Sequence, residues 1–270
     1  MTTETIEKPS EAPALFKLAL PRKAIKTGMP TDGLWVIAGL AKSGKTTLAA
    51  SRKNAVIMEM ERGGADRIDG WVQEIPDLQT FRMALMTALK DPSVEAIVID
   101  TLDVLLDYIG DDVASEFGLE NLNERKEGIN GFAVSEELRK RVVGLINTLK
   151  KSNKLIIALA HFKDPRLDSD GKLVISQTIN ARGKLASYIC GQADVIGHSY
   201  KKPAGTETQY WLSFQGGGML GTFGGRVSEL EGKTILLPRA SQWSAIEAVF
   251  APAQEPKTET TTKKKNGGSK

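Results

Sequence analysis

Gly39-Leu40-Ala41-Lys42-Ser43-Gly44-Lys45-Thr46 decides the reading of this chain. The octet satisfies the pattern G-x-x-x-x-G-K-[ST] at every required position. Its glycines let the backbone curl so that successive N–H groups converge on phosphate oxygens. Lys45 supplies a cation for the β- and γ-phosphates, and the Thr46 hydroxyl can join the shell of a Mg²⁺ ion. The candidate phosphate-binding residues are therefore Gly39, Ala41, Lys42, Ser43, Gly44, Lys45, Thr46 and Thr47. The flanks agree with this. Leu34–Ala38 reads as a short buried strand, and Thr46–Ala50 as the first turns of a helix, whose N-terminus favours anions.

Outward from the loop, strands and helices alternate. Asn54–Glu61 reads as a second strand ended by Gly63-Gly64. Asp77 can cap a helix with Leu78, Phe81, Leu85 and Leu89 on one face, stopped by Asp91-Pro92. Ala96–Asp100 is a third strand, apolar along its length as a strand covered on both faces should be. Residues 107–131 read as a polar connector without periodicity. An amphipathic helix follows with Leu138, Val142, Leu145, Ile146 and Leu149, then a fourth strand, Leu155–Ala160. Arg166–Ile175 reads as a small hairpin, and Leu15–Leu20 as an edge strand. Val195–Tyr200 and Gln209–Phe214 read as antiparallel strands joined around Pro203-Ala204-Gly205, and Gly216–Gly225 as a flexible glycine-rich loop. Such alternation predicts an α/β fold with a mostly parallel sheet. Ligands of these sheets sit at the carboxyl ends of the strands, where the phosphate loop, Glu61, Asp100 and His161 fall.

A chain of 270 residues can bury one sizeable core. The expected division is a disordered segment 1–12, one domain over 13–250 and a disordered Lys/Thr-rich tail 251–270. The tail's five lysines against two glutamates account for the net charge of +3, leaving a neutral body. The charge is thus weak evidence for a nucleic-acid-binding body. The single cysteine, Cys190, excludes an internal disulfide and suits a reducing cytosol; it is expected to fill a core gap. His161 and His198 lie far apart with no second cysteine, which argues against structural zinc. The N-terminus carries no apolar signal core, and no apolar run approaches the ~20 residues a membrane span requires.

Asp100 ends a run of aliphatics downstream of the loop, the pattern of a Walker-B acid that holds Mg²⁺ through its water shell. Glu59 and Glu61 share one face of their strand, so the pleat cannot choose between them. Glu61 lies nearer the carboxyl edge and is the candidate to orient or deprotonate the attacking water. His161 directly follows the fourth strand and could sense the γ-phosphate by hydrogen bonding. His198 is assigned to packing or surface. Arg226, with Lys184, Lys201 and Lys202, could reach a neighbouring subunit's nucleotide.

In this order of elements the chain resembles the RecA-like P-loop ATPases, specifically the short core-only versions found in bacteriophages, which include single-strand annealing and recombination proteins. The similarity rests on Lys45–Ser51 followed by a strand and Glu61-Arg62-Gly63-Gly64, then Asp100, an amphipathic helix, His161, and Ala193-Asp194-Val195-Ile196 leading into a hairpin. It spans about residues 15–240. It implies a three-layer RecA-like P-loop NTPase with a mostly parallel central sheet and a C-terminal antiparallel hairpin extension. It implies that Gly39, Gly44, Lys45 and Thr46 bind ATP–Mg²⁺, that Glu61 is the catalytic carboxylate, Asp100 the Walker-B acid and His161 the γ-phosphate sensor. It further implies a homo-oligomeric ring or filament with ATP between subunits, in the cytoplasm (the host's, if phage-encoded). Single-stranded DNA would meet two loops, about 107–131 and 163–182. The second holds Lys163, Arg166, Lys172 and Arg182, with Lys184 just beyond it, opposed by Asp164, Asp168 and Asp170; the first is mostly acidic. Two functions are thus expected: an ATPase acting on single-stranded DNA in recombination, annealing or replication, or a nucleotide-gated switch for a protein partner. A small-molecule kinase is a third reading, and no arginine-rich lid is evident to support it.

Overall fold

The computed structural model describes residues 27–163, 178–216 and 223–251. Its strands are β1 (Gly33–Ala38), β2 (Ala55–Glu59), β3 (Trp71–Glu74), β4 (Ala96–Asp100), β5 (Leu155–Ala160), β6 (Val195–Ala204), β7 (Glu207–Ser213), β8 (Gly224–Gly225) and β9 (Thr234–Leu237). The helices are α1 (Lys45–Ala50), α2 (Leu78–Lys90), α3 (Leu102–Glu116), α4 (Gly131–Lys150), α5 (Leu185–Gln192) and α6 (Gln242–Glu247). The sheet runs β3-β2-β4-β5-β1-β6-β7-β9, with β8 on β6. The strands from β3 to β6 are parallel; β7, β8 and β9 add antiparallel pairings. This is the expected α/β fold, mostly parallel with an antiparallel extension at the C-terminal end.

The pleat sorts each strand's residues between two cores. Leu34, Val36 and Ala38 of β1 face one way and pack with residues of α2, α3, α4 and α5. Trp35 and Ile37 face the other way and pack with Leu48 and Ala49 of α1 and Trp243 and Ile246 of α6. The result is three layers. Trp35 and Trp243, both fully buried, meet with ring centroids 5.6 Å apart and fasten α6 beneath β1. Burying one such side chain contributes about 1.5–3 kcal/mol.

β4 and β5 match the sequence expectation residue for residue, because an all-buried parallel strand is one apolar run. Asp77 caps α2 by accepting the Thr80 N–H at 2.7 Å. Several expectations need correction. The second strand ends at Glu59 rather than Glu61, and Gly63, at φ 80, turns the chain back towards β3. Residues 107–131 are not a connector throughout: α3 occupies them as far as Glu116. Its apolar stripe, Leu102, Leu105, Leu106, Ile109 and Val113, was masked by interleaved acids. Those acids serve helix packing: Arg141 of α4 pairs with Asp112 at 2.6 Å and also with Glu116, and Arg82 of α2 with Asp112 at 3.0 Å. On α2, Ala88 is buried where Leu89 was expected and Leu89 is only partly covered. Likewise Leu145 of α4 is only partly covered. Pro203 lies within β6, opposite Thr208. Of the glycine-rich loop, Gly224–Gly225 form β8, and residues 217–222 lie outside the described residues. So do the Leu15–Leu20 strand, the Arg166–Ile175 hairpin, the 1–12 segment and the tail beyond Ala251.

Candidate functional site

β1 lies between β5 and β6, so its carboxyl end opens at the middle of the sheet edge. The loop that follows is shaped by its neighbours. The Gly39 N–H donates to the Ala160 carbonyl at 3.1 Å, and a Cβ on Gly39 would lie 2.3 Å from the Ser199 carbonyl oxygen. Only glycine fits there. Ser199 Oγ donates to the Ser43 carbonyl at 3.0 Å and pins the loop to β6. Lys42 and Gly44 are left-handed, at φ 61 and φ 92, and a Cβ on Gly44 would meet the Tyr210 ring at 2.8 Å. Ser43 Oγ is buried without a hydrogen-bond partner.

Lys45 is the only buried lysine or arginine among the described residues. Its Nζ donates to the carbonyls of Gly39 (3.1 Å) and Leu40 (3.0 Å). Burial lowers its pKa, against the pull of Asp100, Asp103 and Glu61. Asp100, at the end of β4, is also buried. Burial raises its pKa from 3.8 to about 6, with Glu61 and Glu59 adding to the rise and the Thr46 hydrogen bond and Lys45 opposing it. A hydroxyl at the start of α1 bonded to a buried carboxylate is an oxygen-only donor pair, which fits Mg²⁺.

The raised pKa has a measurable sign. The folded state holds the Asp100 proton more tightly than the unfolded chain, so ionised Asp100 costs stability above pH 6. That cost fades as pH falls through 6 and is gone below the unfolded value of 3.8. Asp100→Asn should therefore raise the melting temperature of the nucleotide-free protein at pH 8, by roughly 2–6 °C. The gain should shrink steadily towards pH 4. Thermal unfolding of both proteins across that range checks it.

The two glutamates of the second strand separate cleanly. Glu59 is buried, and its carboxylate accepts the Ala65 N–H at 2.6 Å, which anchors the turn after β2. Glu61 lies beyond the strand end, 43% exposed, with Oε1 accepting the Thr101 hydroxyl at 3.0 Å and 3.6 Å from His161 Nδ1. His161 is held by Asp103: its backbone N–H donates to Oδ1 at 3.2 Å, and its Nδ1 lies 3.0 Å from Oδ2. Glu61, Asp103 and His161 each bring one potential metal-ligand atom within 4.8 Å of the others.

A cavity of about 540 Å³ brings most of the sequence candidates together. Ala41 to Thr47, Glu61, Asp100 and His161 line it, joined by Arg62, Arg67, Thr101 and Tyr210, which the sequence reading did not single out. Thr101 and Asp103 had a weak signal, as polar residues following the Walker-B acid into α3. Tyr210 had none, being brought in from β7 by pairing alone.

The basic candidates lie elsewhere. Arg226 donates to Asp194 Oδ1 at 2.9 Å and to the Gly191 carbonyl at 3.0 Å, beside the amino end of β6 and away from its own chain's loop. Lys184 precedes α5. Lys201 and Lys202 lie on β6, with Lys202 Nζ over the rings of Tyr200 (5.2 Å) and Trp211 (5.8 Å). His198 packs as expected, stacked on Phe223 at 5.1 Å, and burial lowers its pKa. Cys190 is half-buried against the core, and burial raises its pKa.

A glycine-rich turn ahead of a helix, facing strand-end carboxylates across a parallel sheet, defines a P-loop nucleotide-binding fold. The family described as AAA domain matches residues 34–222, and the chain belongs to it. Among solved structures, the chain is similar to the KaiC-like protein PH0186 from Pyrococcus horikoshii OT3, at 14% identity over 82% of this chain and 97% of that one, with a TM-score of 0.43. It is also similar to the flagellar accessory protein FlaH from Methanocaldococcus jannaschii, at 12% identity over 78% of this chain and 86% of that one, with a TM-score of 0.38. No curated protein matches the chain. Among the described residues no helix is long and apolar enough to cross a membrane.

Proposed function

We propose that this chain is a RecA-like ATPase of the phage core-only kind, hydrolysing ATP with Mg²⁺ as it assembles on single-stranded DNA. The observation that carries hydrolysis is the meeting of Lys45, Asp100, Glu61 and His161 around one cavity. In this reading the loop N–H groups and Lys45 hold the phosphates in line for attack. Glu61, steadied by Thr101, orients a water and takes its proton as the γ-phosphoryl group passes to the water oxygen. His161 contacts the γ-phosphate. Thr46 and Asp100 would hold Mg²⁺, which when bound neutralises charge on the β- and γ-phosphates.

Assembly as a ring or filament, in a host's cytoplasm, would bring a neighbour's basic residue to the phosphates. Arg226 suits that role, since its exposed guanidinium is remote from its own loop. The DNA reading draws on the motif order and on Lys163 and Arg182, which line a cavity beside Asp103. One observation favours the alternative, a nucleotide-gated switch for a protein partner: Asp107 and Asp111 line the same cavity, and burial and Asp111 raise the pKa of Asp107.

The test is phosphate release from ATP–Mg²⁺ with and without single-stranded oligonucleotide. Release stimulated severalfold by DNA is the expected result. Release indifferent to DNA moves the conclusion to the protein-partner switch, and no release without an acceptor removes the ATPase reading altogether.

A further inference from the structure

We propose that Asp103 is a positioning residue that fixes the ring of His161 and sets which ring nitrogen carries the proton. This rests on the ATPase reading of the same cavity. An aspartate in the first turn of a helix ordinarily serves the helix itself, through its free N–H groups or its dipole. Asp103 instead reaches to the end of β5. One oxygen accepts the His161 backbone N–H at 3.2 Å and the other lies 3.0 Å from ring Nδ1. The side chain is only 13% exposed, so water competes little for these bonds.

Two bonds from one carboxylate fix both the backbone and the ring plane of His161. They also settle its tautomer, since an acceptor on Nδ1 keeps the proton there. Nε2 then carries the lone pair and would meet the γ-phosphate through a bound water, whose O–H it accepts. Glu61 Oε1 lies 3.6 Å from the same Nδ1, too far to compete with Asp103 for that bond. Asp103 therefore acts on the chemistry through His161, without touching the reacting atoms.

Asp103→Asn keeps the shape and inverts the bond: an amide N–H facing Nδ1 requires a lone pair there, which moves the ring proton to Nε2. The chain has two histidines, so ¹⁵N-histidine spectra contain two rings, and His198 serves as internal control for folding. The expected result is an Nδ1–H signature for His161 in the wild type and Nε2–H in Asp103→Asn, with His198 unmoved. In the variant kcat should fall about tenfold or more, with KM for ATP within about threefold. In a His161→Gln background, Asp103→Asn should cost little further. An unchanged tautomer, or an equal loss in that background, overturns the proposal. Should the wild type release no phosphate, the ATPase reading fails, while the tautomer comparison still decides whether Asp103 positions His161.

Discussion

Lys45→Ala should abolish measurable turnover and weaken ATP binding by about a hundredfold or more, with the fold intact. Charge-assisted hydrogen bonds are worth about 1.5–3 kcal/mol each, and a triphosphate offers Lys45 more than one acceptor. The surroundings enlarge the effect. Asp100, Asp103 and Glu61 all act electrostatically on the Lys45 ammonium, so a polyanion entering without it meets carboxylates that nothing buried offsets. The fold should survive because Lys45 bonds only to carbonyls of its own loop, Gly39 and Leu40. Titration calorimetry with ATP–Mg²⁺, beside thermal unfolding, checks both halves. Binding at wild-type strength would mean that the loop holds something other than a polyphosphate.

Glu61→Gln should lower kcat by roughly 10²–10⁴, the span typical of a lost general base, while leaving ATP affinity within about threefold. The amide keeps an oxygen for the Thr101 hydroxyl, so the geometry at 3.0 Å is preserved and only the proton acceptor is lost. Single-turnover phosphate release separates this from slow product release. Glu59→Gln is the informative contrast. Its carboxylate already accepts the Ala65 N–H within the turn after β2, so its loss should appear in thermal stability rather than selectively in kcat. Equal catalytic losses from both substitutions would assign the role wrongly.

The phosphate loop, β4 and β5 were legible in the sequence because each depends on local chemistry: a glycine pattern in the first case, an uninterrupted apolar run in the others. α3 was illegible for the opposite reason. Its acids Asp112 and Glu116 read as a solvated connector, and only their partners on other helices, Arg82 of α2 and Arg141 of α4, show that they tie the helices together. The choice between Glu59 and Glu61 followed the same logic. The pleat gave them one face, and the strand's end at Glu59, two residues short of Glu61, separated their roles. Tyr210 entered the site through strand pairing that no local pattern encodes, and Asp103 through a helix–strand contact at which its place after Asp100 only hinted. Arg62 and Arg67 stand near Glu61 in the sequence, but their place in the cavity depends on the turn after β2, where the buried Glu59 carboxylate accepts the Ala65 N–H.

The place of β1 in the sheet has a consequence for synthesis. Gly33 of β1 pairs with Leu155, and Trp35 with Val195, so this early strand completes neither edge until late residues arrive. The wall behind the loop comes later still, since Ser199 supplies both the carbonyl against Gly39 and the hydroxyl on Ser43. At about 5–20 residues per second, on the order of ten seconds separate translation of Gly39 from that of Ser199. Throughout that interval the nascent chain carries its phosphate-binding octet without the scaffold that curls it. Nucleotide is therefore expected to stabilise the emerging polypeptide only once Ser199 has been translated, well after the octet itself.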